Sequence, residues 1–225
     1  MSRTADDWPL LPRLEEPLPP SQRRSWGKVS HSDRYRKQRT DLLRAAARLA
    51  ARTGYEGTRV ADIVSEAGLS KSTFYEHFAT KEECFVELHR RTTGQMLQSA
   101  VDTAEATIDR GPFECLVSVI KAFIGYRERN PRLAEVLRAE FGGGSQPDIR
   151  QQREENFRRT VHFFVTLGRR LGSPLDDEEL DLSATIVIHG VTDILTTLRR
   201  EPDVFEERLA QIARLGCRSF ALPES

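Results

Sequence analysis

The sequence predicts an all-α protein, with a small N-terminal helix-turn-helix unit ahead of a larger helical body. Three observations predict it. Apolar residues recur at three- and four-residue spacing almost without interruption from Arg34 onward; no alternating run bounded by turn residues marks a strand; and Gly, Ser and Pro punctuate the helical runs at short intervals. The 225 residues are 38% hydrophobic and 30% charged, the mix of a chain that buries a core rather than of a fibre or a disordered tail. No stretch approaches the roughly 18 consecutive apolar residues of a membrane span. The first 20 residues carry Asp6, Asp7 and five prolines in place of an apolar signal run. Cys84, Cys115 and Cys217 lie far apart with no CxxC pair, which gives neither a disulfide framework nor a zinc site. The expectation is a cytoplasmic protein with no membrane segment, metal or cofactor.

Residues 1–30 contain Pro9, Pro12, Pro17, Pro19 and Pro20 with few aliphatic side chains, too little apolar surface to offset the entropy of ordering. They are expected to form a disordered arm, whose Arg23, Arg24 and Lys28 either follow a phosphate backbone or are simply solvated. The first helix carries Leu42, Leu43, Ala46, Leu49 and Ala50 on one face and ends at Gly54. A second, short helix covers about 60–67, with Thr58 as its expected N-cap and Gly68 as the left-handed residue past its end. Ser70 caps a third helix, about 71–78, and Thr80-Lys81-Glu82-Glu83 is a capping box that opens a long fourth helix through Phe85, Leu88 and Met96. Breaks follow at Gly111-Pro112, Asn130-Pro131, Gly142-Gly143-Gly144 and Gly172-Ser173-Pro174, leaving about five or six more helices. The span from Leu182 to Val191 is apolar enough to need burial on more than one side, and the last helix carries Phe205, Leu209, Ile212, Leu215 and Phe220. The expected division is an arm at 1–30, a helix-turn-helix domain at 31–80 and a helical domain at 81–225.

The net charge is zero, which by itself argues against a nucleic-acid binder, but the total hides an uneven distribution. Residues 22–81 hold 13 basic and 6 acidic side chains, a balance of +7, against −2 before them and −5 after. A basic segment beside an acidic body is expected when one part meets phosphates. Within it, Glu66-Ala67-Gly68-Leu69-Ser70 joins two short helices as a helix-turn-helix requires: Gly68 turns the chain and Ser70 restarts it at once. At about 100° per residue, taking Phe74 as inward leaves Phe78 on the same face with Lys71 beside it, Ser72 and Glu76 nearly opposite, and Thr73 and Tyr75 on the flanks. A small polar outer face with aromatic anchors behind it suits close approach to base edges and phosphates. The competing reading is a helical hairpin that packs on its own body, with Tyr75, His77 and Lys81 as solvated surface.

These residues resemble the DNA-binding domain of TetR-type transcriptional regulators over Leu42 to Leu88, above all in Gly54-Tyr55, in Val60-Ala61-Asp62-Ile63-Val64, in the run Ala67-Gly68-Leu69-Ser70-Lys71-Ser72-Thr73-Phe74-Tyr75-Glu76-His77-Phe78, and in Lys81-Glu82. The resemblance implies a homodimeric repressor of double-stranded DNA with a helical ligand-binding and dimerisation domain. It implies that Lys71, Ser72, Thr73 and Tyr75 touch bases or phosphates, that His77 and Lys81 contact the DNA backbone, and that Val60 stands at the start of the second helix where the family makes contact. Arg59 beside it offers a charged reach to phosphate by its own chemistry. Val64 departs from the family, where Ala is common, and widens the expected crossing of the two helices. Glu76 points outward from a basic head, so it either accepts from a cytosine amino group or pairs with a basic neighbour.

In the body, Phe113, Phe123, Phe141, Phe157, Phe163 and Phe164 concentrate aromatic side chains, which at helical spacing serve as core or line a cavity. The resemblance implies an effector pocket in these helices. Aromatic lining favours a bulky, apolar or aromatic ligand, with Phe113, Phe123, Phe157 and Phe164 as candidate walls and Tyr126, His162 and Thr166 as candidate polar contacts. The closing helices are the expected dimer seam, with Ile186, His189, Ile194, Leu209 and Ile212 as its candidates. His189 and Asp193, four apart, make two ligands and not a metal site. No nucleophile, base and orienting group stand out together. The reading is therefore a ligand-responsive repressor that is not an enzyme, against a DNA-binding regulator with no small effector and, more remotely, a helical enzyme.

Overall fold

The computed structural model describes residues 31–129, 147–198 and 205–224. These form α1 (His31–Gly57), α2 (Val60–Ala67), α3 (Lys71–His77), α4 (Lys81–Thr107), a 3-10 turn at Ile108–Arg110, α5 (Pro112–Arg129), α6 (Pro147–Arg170), α7 (Asp177–Leu198) and α8 (Phe205–Ser219). No strand occurs among the described residues, and none of these helices is long and apolar enough to cross a membrane. The 1–30 arm, Phe141 and the side chains of Tyr126 and Ile194 lie outside the described residues.

The chain divides into two compact units, the boundary within α4 falling between Thr92 and Thr93. The first is the head. Leu42, Ala46, Ile63, Phe74 and Phe78 close its core together with Cys84, Phe85 and Leu88, so the first turns of α4 belong to it and the head continues past residue 80. Burial raises the Cys84 thiol to about 12, which leaves it an inert apolar filler.

Local chemistry sets the head's short elements. At Gly54 (φ 71°, ψ 176°) α1 kinks, in a region of backbone space reserved for glycine. Thr58 is not the N-cap of α2: its hydroxyl donates to the Gly54 carbonyl at 2.7 Å, and the cap is Arg59, whose side chain makes no capping bond to a backbone N–H. Gly68 (φ 66°, ψ 34°) is the expected left-handed C-terminal residue, closed by Gly68 N–H to Ser65 O and Leu69 N–H to Val64 O. Ser70 caps α3 as expected, its Oγ accepting from Thr73 N–H at 3.1 Å. Phe78 follows α3 in extended conformation. The capping box of α4 is present in modified form: Thr80 Oγ1 accepts from Glu83 N–H, while Glu83 Oε2 reaches back one residue further, to Ala79 N–H.

The second unit has its own core, in which Leu97, Leu116, Phe163, Leu167, Leu180 and Phe220 are almost fully enclosed. A two-pronged Glu105–Arg170 ion pair joins α4 to α6. Asp176 and Glu179 cap the start of α7 reciprocally. On α8, Phe205, Leu209, Ile212, Ala213, Gly216 and Cys217 share the inward stripe, with Leu209 1% and Ile212 5% exposed. This corrects their assignment to a dimer seam: they are core of a single chain, and it is Leu215, rotated well away from that stripe, that is exposed. On α7, Leu180 and Ala184 face inward while Leu182, Ile186 and His189 share the opposite, exposed side.

The two glycines give a graded prediction. An alanine Cβ would meet nothing within 4 Å at either Gly54 or Gly68, so any loss is backbone strain. Gly68→Ala is expected to cost about 1–2 kcal/mol, largely recovered by Asn, and Gly54→Ala as much or more, about 1–3 kcal/mol, with no recovery by Asn. Urea unfolding of the four variants, Ala and Asn at each position, against the parent measures both.

Candidate nucleic-acid interface

The interface candidates gather on and beside α3, and what α3 exposes follows from what holds it. Phe74 and Phe78 are 0% and 1% exposed, with ring centroids 5.6 Å apart. With its inner side so fixed, Lys71, Ser72, Tyr75 and Glu76 stand exposed and Thr73 half-buried. Tyr75 is the most open large hydrophobic side chain among the described residues of the head, at 57%. The hydroxyls of Ser72 and Thr73 both engage Ser70 Oγ, at 2.7 and 2.9 Å, a cluster that keeps the start of the helix small and polar. Among the described residues Lys71 and Glu76 have no ion-pair partner. The salt link weighed for Glu76 is therefore not formed within them.

The flanking candidates divide. Arg59 is 78% exposed in its side chain and pairs with Asp62 through two contacts of 2.8 and 3.1 Å. That hydrogen-bonded pair raises Arg59 and holds the Asp62 carboxyl below its ordinary range. Val60 is half-buried against the head core. Lys81 is turned inward: Nζ donates to the Tyr55 carbonyl at 2.9 Å and sits 3.9 Å from the centre of the Tyr55 ring, which in turn meets Phe85 edge-on at 4.9 Å.

His77 is corrected outright. It is 5% exposed, both ring nitrogens are buried without a hydrogen-bond partner, and Tyr35 covers the ring at 4.1 Å. A side chain so enclosed belongs to the head's packing and not to its outer face. Burial, aided by the Arg39 charge and partly offset by Glu76, lowers its pKa from the ordinary value.

Two residues that sequence reasoning missed hold the C-terminal end of α3 from α1. Tyr35 Oη donates to the Glu76 carbonyl at 3.4 Å, and Arg39 Nη1 donates to the His77 carbonyl at 2.6 Å while its guanidinium lies 4.3 Å from the centre of the Phe78 ring. Arg39 stands three and four residues before Leu42 and Leu43, so a cation on the apolar stripe of α1 is the signal that would have found it.

In the second unit Phe164 is buried and Phe113, Phe123 and Phe157 are half-buried against the core. Phe123 stacks on Phe164 at 5.9 Å, Phe157 meets His189 at 4.8 Å, and His162 Nε2 is buried without a partner. All three cysteines are free and buried, and burial raises each thiol, so none supplies a thiolate nucleophile near neutral pH. No group of three or more His, Cys, Asp or Glu among the described residues is placed to hold a metal.

Comparison with known proteins agrees with this geometry. Residues 42–88 match the family model of bacterial regulatory proteins, tetR family. The HTH-type transcriptional repressor AcnR of Corynebacterium diphtheriae is 29% identical over 151 residues, 66% of this chain and 74% of that protein. The HTH-type transcriptional repressor KstR2 of Mycolicibacterium smegmatis is 23% identical over 186 residues, covering 69% and 91% of the two chains. In fold, the crystal structure of a transcriptional regulator from Rhodococcus sp. Rha1 superposes with a TM-score of 0.62 at 20% identity, over 81% of this chain and 95% of that one.

His77 makes the head sensitive to acid. Its folded pKa lies below the ordinary 6.5, so the unfolded chain binds the proton more readily. Stability is then complete above about pH 6.5 and lost as pH falls below it, by at most about 1.4 kcal/mol per pH unit. Denaturant unfolding between pH 7.5 and 5 is expected to show this slope, and His77→Phe, which removes two unpartnered nitrogens and keeps a ring under Tyr35, to flatten it.

Proposed function

Because the chain belongs to the TetR family of DNA-binding transcriptional regulators, we propose that it is a ligand-responsive repressor that binds a palindromic operator as a homodimer. The observation that carries this reading is the outer face of α3, where Lys71, Ser72, Tyr75 and Glu76 stand exposed over an inner face sealed by Phe74 and Phe78. Such a helix enters a major groove with base-sized side chains forward and the cation and phenol reaching for phosphate. Arg59 adds a further phosphate contact by exchanging its exposed Asp62 partner. Lys81 does so with the ammonium protons that the Tyr55 carbonyl leaves unused.

The exposed apolar side of α7 and the neighbouring helix support the dimer. Leu182 and Ile186 are each 60% exposed and Leu215 is 54% exposed, and a second copy that meets them isologously would give the two-fold symmetry of a palindrome. Half-sites one helical turn apart require the two α3 helices about 34–36 Å apart. The stacked rings of Phe123 and Phe164, with Phe157 half-buried against the same core, support a bulky, apolar or aromatic effector bound among the helices of the body. An effector that favours another head spacing releases DNA; a coupling of about 1–3 kcal/mol weakens operator binding roughly 5- to 150-fold. α4, which contributes to both units as one helix, is the proposed lever, and the site of action is the cytoplasm, where operators lie.

Selection of duplexes from a random pool by the purified chain tests the reading. An inverted repeat is expected, with half-sites one turn apart and affinity that falls steeply with salt. Tyr75→Ala weakens binding to every duplex alike, whereas Ser72→Ala and Glu76→Gln change the base preferred at one position, by about 1–3 kcal/mol. Recovery of no sequence at all, even at low ionic strength, overturns the reading. For the dimer, Ile186→Asp is expected to yield a monomer in sedimentation that keeps its helical content and loses operator affinity.

A further inference from the structure

A helix of seven residues pinned at Phe74 has a pivot but not a fixed angle. Its start is fixed by Ser70, and the angle depends on what holds the far end, where the last carbonyls of any helix lack intrahelical partners. Phe78 N–H takes Phe74 O. The last two carbonyls of the helix are claimed from α1: Glu76 O by Tyr35 Oη, at a long 3.4 Å, and His77 O by Arg39 Nη1, at 2.6 Å. The second contact is the stronger one, since it is short, charge-assisted and set at the negative end of the helix.

Arg39 does not stand alone. Its side chain is 22% exposed, and its Nε lies 4.0 Å from Glu87 Oε1 on α4. Glu87, 11% exposed in its side chain, is gripped from its own helix by Arg91 at 2.6 Å and by Arg90 at 2.7 and 3.0 Å. Burial would raise its pKa, but these two guanidinium bonds outweigh it and keep the carboxyl ionised, below its ordinary range. One guanidinium thus touches the C-terminal carbonyl of α3, the Phe78 ring behind it and an anchored carboxylate on α4.

We propose that Arg39 is a positioning residue for base recognition, setting the angle of α3 through the His77 carbonyl, and that Glu87 couples this angle to α4. Base readout tolerates errors of only about 0.5 Å and 10–20°, so loss of the contact leaves phosphate attraction in place and removes discrimination among bases. The planar fork serves His77 O and Glu87 at once, which the single point of a lysine ammonium does not. This inference rests on the reading of α3 as the recognition helix.

The test uses the full chain, a duplex enriched by the wild-type chain from a random pool, and a scrambled duplex of the same length, with affinities measured at two or more salt concentrations. Arg39→Gln is expected to lower the ratio of enriched to scrambled affinity at least tenfold, with an unchanged salt slope on the scrambled duplex and faster amide exchange at Tyr75, Glu76 and His77. Arg39→Lys recovers part of the ratio, and Glu87→Gln, which leaves every α3 residue in place, reproduces part of the loss. Should Arg39→Gln not fold, the Lys and Glu87 variants still decide. A ratio within twofold of wild type overturns the positioning role. A salt slope shallower by about one shows instead that Arg39 is a direct phosphate contact. An intact ratio in Glu87→Gln overturns the coupling. Failure of the wild-type chain to enrich any duplex is a different result, since it removes the recognition reading itself.

Discussion

The burial of Phe74 is the constraint on which the head depends. Isolated helices shorter than about 12–15 residues are marginal in water, and α3 has seven residues, so its helicity is lent by its packing. A fully buried phenylalanine is worth about 3–5 kcal/mol against alanine, a large part of the 5–15 kcal/mol that holds a typical domain. Because one side chain pointing inward does this, the outward positions need contribute nothing to stability. That freedom is why Ser72, Thr73, Tyr75 and Glu76 can be chosen for what they touch. It also explains the strict chemistry at both ends, with Gly68 in the left-handed region and Ser70 as cap, since two turns have no other reserve of helical stability.

What was legible in the sequence is what short-range chemistry determines. The Gly68 turn, the Ser70 cap, the bounds of α2 and the inward pair Phe74 and Phe78 follow from conformational preference and a 100° step, and the structure places them so. Thr58 misleads because α2 starts one residue too late for it to be the cap, and its hydroxyl donates to the Gly54 carbonyl at the kink instead. His77 misleads in another way. It lies three residues from Phe74, at the edge of the inward arc, and only Tyr35, some forty residues earlier, decides that the ring is covered. The partners of Arg39 were invisible for the same reason, since the carbonyl and carboxylate it joins come from segments far apart in sequence. The body was legible in its helices and not in its faces: Leu209 and Ile212 fit an apolar stripe equally well whether that stripe meets the chain's own core or a second copy. The helical step relates residues within one helix and leaves open which neighbour the stripe meets.

The body also shows why composition alone is a weak guide to association. A chain with 38% hydrophobic residues exposes many apolar atoms in any fold, so an exposed leucine is uninformative by itself. Leu182 and Ile186 differ because they stand one turn apart on the same side of α7, with His189 continuing the row. A row has a direction, and a second row can lie along it. The core-facing residues of α8 have already spent their apolar surface within the chain, which leaves that helix to contribute Leu215 alone among its leucines to any contact with a partner.

Charge needs the same accounting. The +7 balance of residues 22–81 sums cations that are not equally available. Arg59 and Asp62, like Arg36 and Asp33, form exposed pairs, and such pairs contribute about 0–1 kcal/mol, so a phosphate displaces the carboxylate at little cost. Lys71 needs no displacement. Arg39 lies at the other extreme: it is mostly enclosed, and withdrawing it would leave the Glu87 carboxylate with less compensation and the His77 carbonyl with none from α1, in surroundings where an unpaired charge costs several kcal/mol. The cations of the head therefore fall into exposed ones that an anion can reach and enclosed ones held by the head's own groups, and partner and burial sort them where sequence position does not. A neutral chain can bind a polyanion when the first group is gathered on one face and the second keeps that face in shape.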